Sequence, residues 1–581
     1  LYPFYLRDTQ AGILSDEQAQ ELVECLFIKC SEIVGYADQR SPKKRSHCQD
    51  SVQYVVLGGQ KGEMAGRSLG GFGYGASVAK AHVSAVADRV QPVPSRRLPD
   101  TPKSGDFGYG ASVAEARVSA VADRVQPLPS SALAGDPKSG DFGYACDAVN
   151  ELSFLALRAG HLKLKQPTII VRYHRGLNRE FWREVCELIR AGGSVGIYND
   201  HTVVPALESV GVEPQDALGY THYGCCNPNI PGQEGSLIER WHNLPKFVEL
   251  ALNNGKCPVK GQPLGPATGD PDTFRTFEDL QAAVRAQMRH ALEAERRGVE
   301  AFWAKESAMP SFTAESLFLE GCVENGREWR RGGTKYYHKM QHAVGIGTAT
   351  DSLVALRNLV FEEKRLTLGQ FRDILNASFA GHEELRQELL NRCPKFGNDD
   401  DAVDSVAVWL ANAFCDEVAR CNRPDHRIAF WPELYSYHNN KNLGDQTGAT
   451  ADGRRRGESL SENQSPSYGA DRNGVTALLN SMAKLPFHRT PGGGTNILIH
   501  PTAVKGEDGL RALMDLLETY FQRGGMHLQV NIVDKRTLLE AQKSPEKFRT
   551  LTVRVTGYSG YFVTLDPRSQ QDVIARTEHV A

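Results

Sequence analysis

From Pro167 onward the chain alternates short apolar runs with amphipathic stretches, and this alternation restricts it to a sheet covered by helices. PTIIVRYH reads as a buried strand, and NREFWREVCELIRAGG as a helix closed by Gly192 and Gly193. GSVGIYND reads as a second strand running into a polar loop. Such an order favours α/β architecture, with strands in a sheet or barrel and helices outside. Longer helices are expected over Leu237 to Asn254, Thr276 to Lys305 and Thr367 to Arg392. A Gly/Asp/Arg-rich loop then precedes a C-terminal unit. The predicted boundary lies at 458, giving domains over 1–458 and 459–581. Near the end, TVRV and YFVTL read as strands around a tight loop from Thr556 to Gly560.

A tandem repeat interrupts the first domain over 68–141. FGYGASVAKAHVSAVADRVQPVPSRRLPDTPKSGD starts at Phe72, a near-identical copy starts at Phe107, and a third breaks off after Tyr144. Two and a fraction copies with Pro-rich joints are too few to stack into a solenoid. An expanded surface loop is the expected reading, with a binding module as the alternative.

Composition removes several function classes. Lys and Arg number 67 against 70 Asp and Glu, for a net charge of −3, so no nucleic-acid footprint is expected. No apolar run approaches the roughly 18–20 residues that span a bilayer. The chain opens on Leu1, inside what reads as a domain already begun, and is expected to be incomplete at its N-terminus. Twelve cysteines show no zinc or cluster spacing, and Cys225 and Cys226 are adjacent. Reduced, mostly buried thiols are expected, with no metal.

Four segments carry a more specific message: RVTGYSGYFVTL, GGMHLQVNIVDKRTLLEAQKSPEKFRTLTVRV, TGATADGRRRGESLSENQSPSYGADRNGVTALLNSMAKL and NRCPKFGNDDDAVDSVAV. They resemble the glycyl radical enzymes of the pyruvate formate-lyase-like family, closer to the glycerol dehydratase, choline lyase and arylacetate decarboxylase branch. The resemblance runs along the chain outside the repeat. It implies a ten-stranded-type α/β barrel with a catalytic cysteine loop and a C-terminal radical loop inserted in it. It implies a radical stored on Gly557, with Arg554 and Tyr558 supporting the loop. Glycine suits that role because a radical at its Cα is shared between amide donor and carbonyl acceptor, and no Cβ obstructs a planar centre.

The resemblance also implies a cysteine that relays the radical to substrate. GCVE at Gly321 to Glu324 matches the family string literally, but its surroundings read as a helix before a GG-x-x-Y segment. GVEPQDALGYTHYGCCNPNIPGQEG has the expected flanks and puts Cys225 at the thiyl position, with Cys226 as the alternative. The family dehydratases carry a glutamate two residues later, where this chain has Asn227, and an amide cannot shuttle protons at ordinary pH. Asn243 likewise stands where a carboxylate is expected after His242. The two missing carboxylates argue against a straightforward diol dehydratase and leave open C–C cleavage, radical addition, or another proton carrier among His174, His201, His222 and Glu234. Arg172 is a candidate anion clamp or a core ion-pair partner, and Tyr198 and Asn199 are candidate substrate neighbours at a strand end.

The implied activity is that of an anaerobic lyase acting on a small organic substrate. It would have no bound cofactor, and a separate iron–sulfur AdoMet radical enzyme would activate it. A cytoplasmic homodimer is expected. The alternatives are a formate C-acetyltransferase or 2-ketoacid formate-lyase, and an inactive relative serving as an interaction protein. If the repeat is a loop expansion, deleting residues 68–140 leaves the thermal unfolding midpoint and the activity largely unchanged. Loss of folding in that deletion contradicts the loop reading.

Overall fold

The computed structural model describes residues 2–39, 54–58, 60–61, 146–164, 167–223, 226–309 and 313–580. All of these lie in one unit made of residues 1–62 and 146–581. The repeat at 68–141 lies outside the described residues, and so does Cys225.

Two sheets form the frame of a mixed α/β fold. In the first, six strands run in the order Tyr54–Gly58, Thr168–Tyr173, Val195–Asn199, His527–Ile532, Asn496–Ile499 and Glu578–His579. Neighbours in this sheet are parallel except at the centre, where His527 pairs Tyr198 antiparallel. The second sheet is parallel throughout, in the order Gly492–Gly493, Ala429–Leu434, Tyr336–Val344 and Glu234–Asn243. Thr168–Tyr173 is buried along its whole length, as expected for a parallel strand covered on both faces.

The helices hold this frame by burying one face. Arg179–Arg190 starts under Asn178, whose side chain accepts from Phe181 N at 2.9 Å, and is followed by Gly192 at φ 83°. It buries Phe181, Trp182, Val185, Cys186, Leu188 and Ile189. Each such large apolar side chain contributes about 1.5–3 kcal/mol of transfer free energy. No helix among the described residues is long and apolar enough to cross a membrane.

The two sheets meet at PGGGTN. Gly492–Gly493 belongs to one sheet and Asn496–Ile499 to the other, with Gly494 and Thr495 between them. The crossing needs bare backbone. A Cβ on Gly493 would stand 2.1 Å from Gln464 Nε2, and one on Gly494 would stand 2.7 Å from Cys226 Sγ.

Five expected elements differ. YFVTL is not a strand: the return strand is Ser559–Tyr561, and Phe562–Thr564 winds into a 3-10 turn. The strand Val195–Asn199 runs into the helix Asp200–Ser209 and not into a polar loop, because Asn199 caps that helix. The span Leu237 to Asn254 is not one helix: Glu234–Asn243 is a strand, and the helix is Leu244–Leu252. Pairing with Tyr336–Val344 overrides local preference there. Thr367 to Arg392 is broken into Leu368–Asn376 and Glu383–Asn391, because Ser378 and Phe379 adopt positive φ. The residues around Cys322 form turns rather than a helix, with Gly321 at φ 90°.

Beneath the C-terminal hairpin, Arg576 pairs with Glu462 at 2.8 and 3.0 Å, both side chains almost fully buried. Arg576 Nη1 also donates to Arg554 O at 2.8 Å. Removing one partner of such a pair strands a buried charge. Arg576→Leu is therefore expected to cost about 3–5 kcal/mol in denaturant unfolding, and Arg576→Leu with Glu462→Leu to cost less. Equal losses in the two variants contradict the pairing account.

Candidate functional site

Two short antiparallel hairpins carry Cys226 and Gly557. The first pairs Thr221–Tyr223 with Asn227–Asn229 in antiparallel register, Tyr223 opposite Asn227. Cys225 precedes Cys226 in sequence and lies outside the described residues. Cys226 is fully buried, and its carbonyl accepts from Gly493 N at 3.1 Å.

The second hairpin pairs Thr552–Arg554 with Ser559–Tyr561, Arg554 opposite Ser559. Gly557 lies in its loop at φ 94°, a conformation that side chains resist, and it is buried. The turn is closed by Val555 N donating to Tyr558 O at 2.9 Å. Arg554 fixes it from below, donating to Gly557 O at 3.2 Å, Gln529 Oε1 at 3.0 Å, Ser194 Oγ at 2.9 Å and Ser559 Oγ at 3.1 Å. Tyr435 OH donates to Thr556 O at 3.1 Å from the four-stranded sheet. Tyr558 OH lies 2.9 Å from His438 Nε2.

The two hairpins share one buried cluster. Cys226 packs with Val553, Val555, Tyr558, Phe562 and Tyr435, so the residue beside Cys225 is in the same dry interior as the glycine loop. Cys322 belongs to neither of the two core clusters; its sulfur lies beside Gly333.

The remaining sequence candidates are held in internal bonds. Arg172 donates to Asp200 at 2.9 Å twice, and to the carbonyls of Tyr220 and Leu218 at 3.0 and 2.9 Å. His174 sits 3.3 Å from Asp147 and accepts from Gly176 N. His201 accepts from Arg175 N at 3.0 Å. Asn199 caps the helix Asp200–Ser209 and donates to the carbonyls of Phe521 and Gly525. His242 meets Gln341 at 2.8 Å, and Asn243 caps the helix Leu244–Leu252. His222 lies against the Tyr198 ring on the hairpin itself, and burial holds it neutral. Glu234 accepts from Ile230 N at 3.1 Å, and burial pushes its pKa up to about 8.

Sequence reasoning passed over Glu433. It lies in Ala429–Leu434, is fully buried, and its Oε2 accepts from Asn227 Nδ2 at 2.6 Å. The same oxygen stands 3.0 Å from His342 Nδ1, and the His342 ring stacks on Trp241 with centroids 4.4 Å apart. Burial drives the Glu433 pKa well above the ordinary carboxylate range. The available signal was a lone acid inside the aromatic run AFWPELY.

A model of the family described as pyruvate formate lyase-like matches residues 1–69 and 143–444, and one described as glycine radical matches residues 460–563. The chain belongs to the pyruvate formate lyase-like family. Trans-4-hydroxy-L-proline dehydratase of Clostridioides difficile is 31% identical over 589 residues, covering 100% of this chain and 63% of that protein. A structure of the same organism's hydroxyproline dehydratase with trans-4-hydroxy-L-proline bound is similar at a TM-score of 0.79 and 29% identity, over 100% of this chain and 63% of the other. The glycerol-bound B12-independent glycerol dehydratase of Clostridium butyricum gives 0.72 and 38%, over 75% and 56%. This member of the family therefore spans between about half and two thirds of the length of these relatives, and it has their α/β barrel fold.

Glu234 gives the site a pH signature. Its proton is retained in the folded state up to about pH 8, whereas an unfolded glutamate loses it near pH 4.3. Folding stability from this group is thus present at low pH and falls as pH rises across that window, by about 1.4 kcal/mol per unit. Glu234→Gln is expected to flatten the decline, so its unfolding midpoint gains on the unsubstituted protein between pH 5 and 8. Parallel pH profiles contradict this.

Proposed function

We propose that this chain is a glycyl radical lyase that stores its radical on Gly557 and passes it to Cys225, which takes a hydrogen atom from a small organic substrate under anaerobic conditions. The observation that carries this reading is the shared cluster of Cys226 with Val555 and Tyr558. It supports the reading because Cys226, next in sequence to Cys225, lies in the same buried cluster as the glycine loop. Arg554 supports the storage role, because its hydrogen bond to Gly557 O polarises the carbonyl that accepts spin density from the α-carbon.

The relatives that cover the whole chain include dehydratases and an isethionate sulfite-lyase; the dehydratases support loss of water from a hydroxylated small molecule. The activating partner in this reading is a separate AdoMet radical enzyme that supplies the iron–sulfur cluster, and the working form is a cytoplasmic homodimer. The adjacent thiols Cys225 and Cys226 favour a second reading, a 2-ketoacid formate-lyase, in which both sulfurs take part. Formate release from a 2-ketoacid distinguishes it from dehydration.

Anaerobic activation of the protein by such an activase is expected to give a doublet in the electron paramagnetic resonance spectrum. Gly557→Ala abolishes the doublet, while Cys225→Ser keeps it and abolishes turnover. A silent spectrum from the unsubstituted protein with a competent activase contradicts the proposal and favours an inactive relative. Loss of turnover in Cys226→Ser, with activity kept in Cys225→Ser, moves the relay by one residue.

A further inference from the structure

We infer that Glu433 is the proton-transfer group of this site, supplying through space the carboxyl that position 227 lacks. The inference rests on the radical reading above and deepens it. Asn227 is a neutral amide two residues after Cys225, yet it is tied directly to a carboxyl. Its Nδ2 donates to Glu433 Oε2 at 2.6 Å, across a separation of 206 residues. The strand carrying Glu433 also pairs with the segment that meets Cys226. Glu433 and Leu434 pair with Gly492 and Gly493, and Gly493 N donates to the carbonyl of Cys226. Cys225 is thus followed at once by two residues, both bound to this corner of the sheet.

The two oxygens of Glu433 differ. Oε2 is engaged by Asn227 and stands 3.0 Å from His342 Nδ1. Oε1 has no hydrogen-bond partner among the described residues and lies against Gly492, where a Cβ would stand 2.4 Å away. The amide hydrogens of Asn227 require Oε2 to accept, so a proton carried by Glu433 is placed on Oε1, the oxygen with none of these ties. Buried polar atoms are rarely left without partners, and an exception in a native interior calls for a use. Burial also keeps the group protonated, the form a general acid needs. The other titratable groups facing it are His342 on its neighbouring strand and Glu234 at the start of the next.

The substrate class that suits such an acid is a vicinal diol or a similarly hydroxylated compound. The Cys225 thiyl takes a hydrogen atom from one hydroxylated carbon. Glu433 gives its Oε1 proton to the neighbouring hydroxyl, that C–O bond breaks with both electrons on the oxygen, and water departs. The remaining hydroxyl returns a proton to the Glu433 carboxylate as the carbonyl forms. The product radical then recovers its hydrogen atom from the Cys225 thiol. Both groups end as they began, and no oxidant or reductant is consumed.

The test uses the full activated chain with glycerol and 1,2-propanediol as probes, reading the glycyl doublet and aldehyde formation together. Glu433→Gln is expected to keep the doublet and to lower kcat about 100-fold, the usual scale of general acid catalysis. Adding Asn227→Glu to it is expected to recover at least about tenfold of that loss, which a structural role for Glu433 would not allow. The inference is overturned if Glu433→Gln stays within about threefold of the unsubstituted protein, if it loses the doublet, or if the second substitution recovers nothing. A full doublet with no diol dehydrated by the unsubstituted chain overturns it as well. An absent doublet in that chain instead marks failure of the radical reading.

Discussion

Arg554 carries a positive charge into the interior and lays its hydrogens on five acceptors: Thr168, Ser194, Gln529, Ser559 and the carbonyl of Gly557. Three of these lie in or beside the six-stranded sheet, so the hairpin tip is fastened to the frame and not left at a solvent-facing turn. Tyr435 adds a tie from the four-stranded sheet to Thr556 O. A loop pinned from both sheets can keep Gly557 at φ 94° with its backbone dry. Neutral donors alone would bond that carbonyl more weakly than a guanidinium does.

The consequence is chemical. Hydrogen-atom transfer between a backbone carbon and a sulfur depends on proximity within a protected interior. Cys226 meets the crossing at Gly493 and Gly494, and the glycine loop is tied to both sheets, which supports the proposed transfer. The four-stranded sheet serves both hairpins. Glu433 reaches Asn227, and Tyr435, two residues on, reaches the glycine loop. One strand end thereby touches both the residue after Cys226 and the glycine loop.

The glycine loop was legible in its first strand and its tight turn with Gly557, which are local features, while the return strand spans Ser559–Tyr561 and not YFVTL. The strands Thr168–Tyr173 and Val195–Asn199 were legible for the same reason, as apolar runs flanking an amphipathic helix. Glu234–Asn243 was not, since EGSLIERWHN has no strand period and becomes a strand by pairing with residues about 100 positions later. Arg172 read as an anion clamp or a core pair and Asn199 as a substrate neighbour; Arg172 pairs with Asp200 and Asn199 is bonded internally, through partners that sequence does not name. Glu433 was hidden because its meaning arises from Asn227, 206 residues away. Substituting a family residue at one position says nothing of where the lost charge reappears.

Hydrogen exchange at Gly557 tests the central claim most directly. A thiol hydrogen exchanges with solvent, so a radical that visits Cys225 must bring deuterium back to the glycine α-carbon in D2O. The account predicts that the doublet of the activated protein collapses to a singlet in D2O, and that Cys225→Ser alone preserves the doublet. A doublet that persists in the unsubstituted protein, or exchange that depends on Cys226 instead, contradicts it.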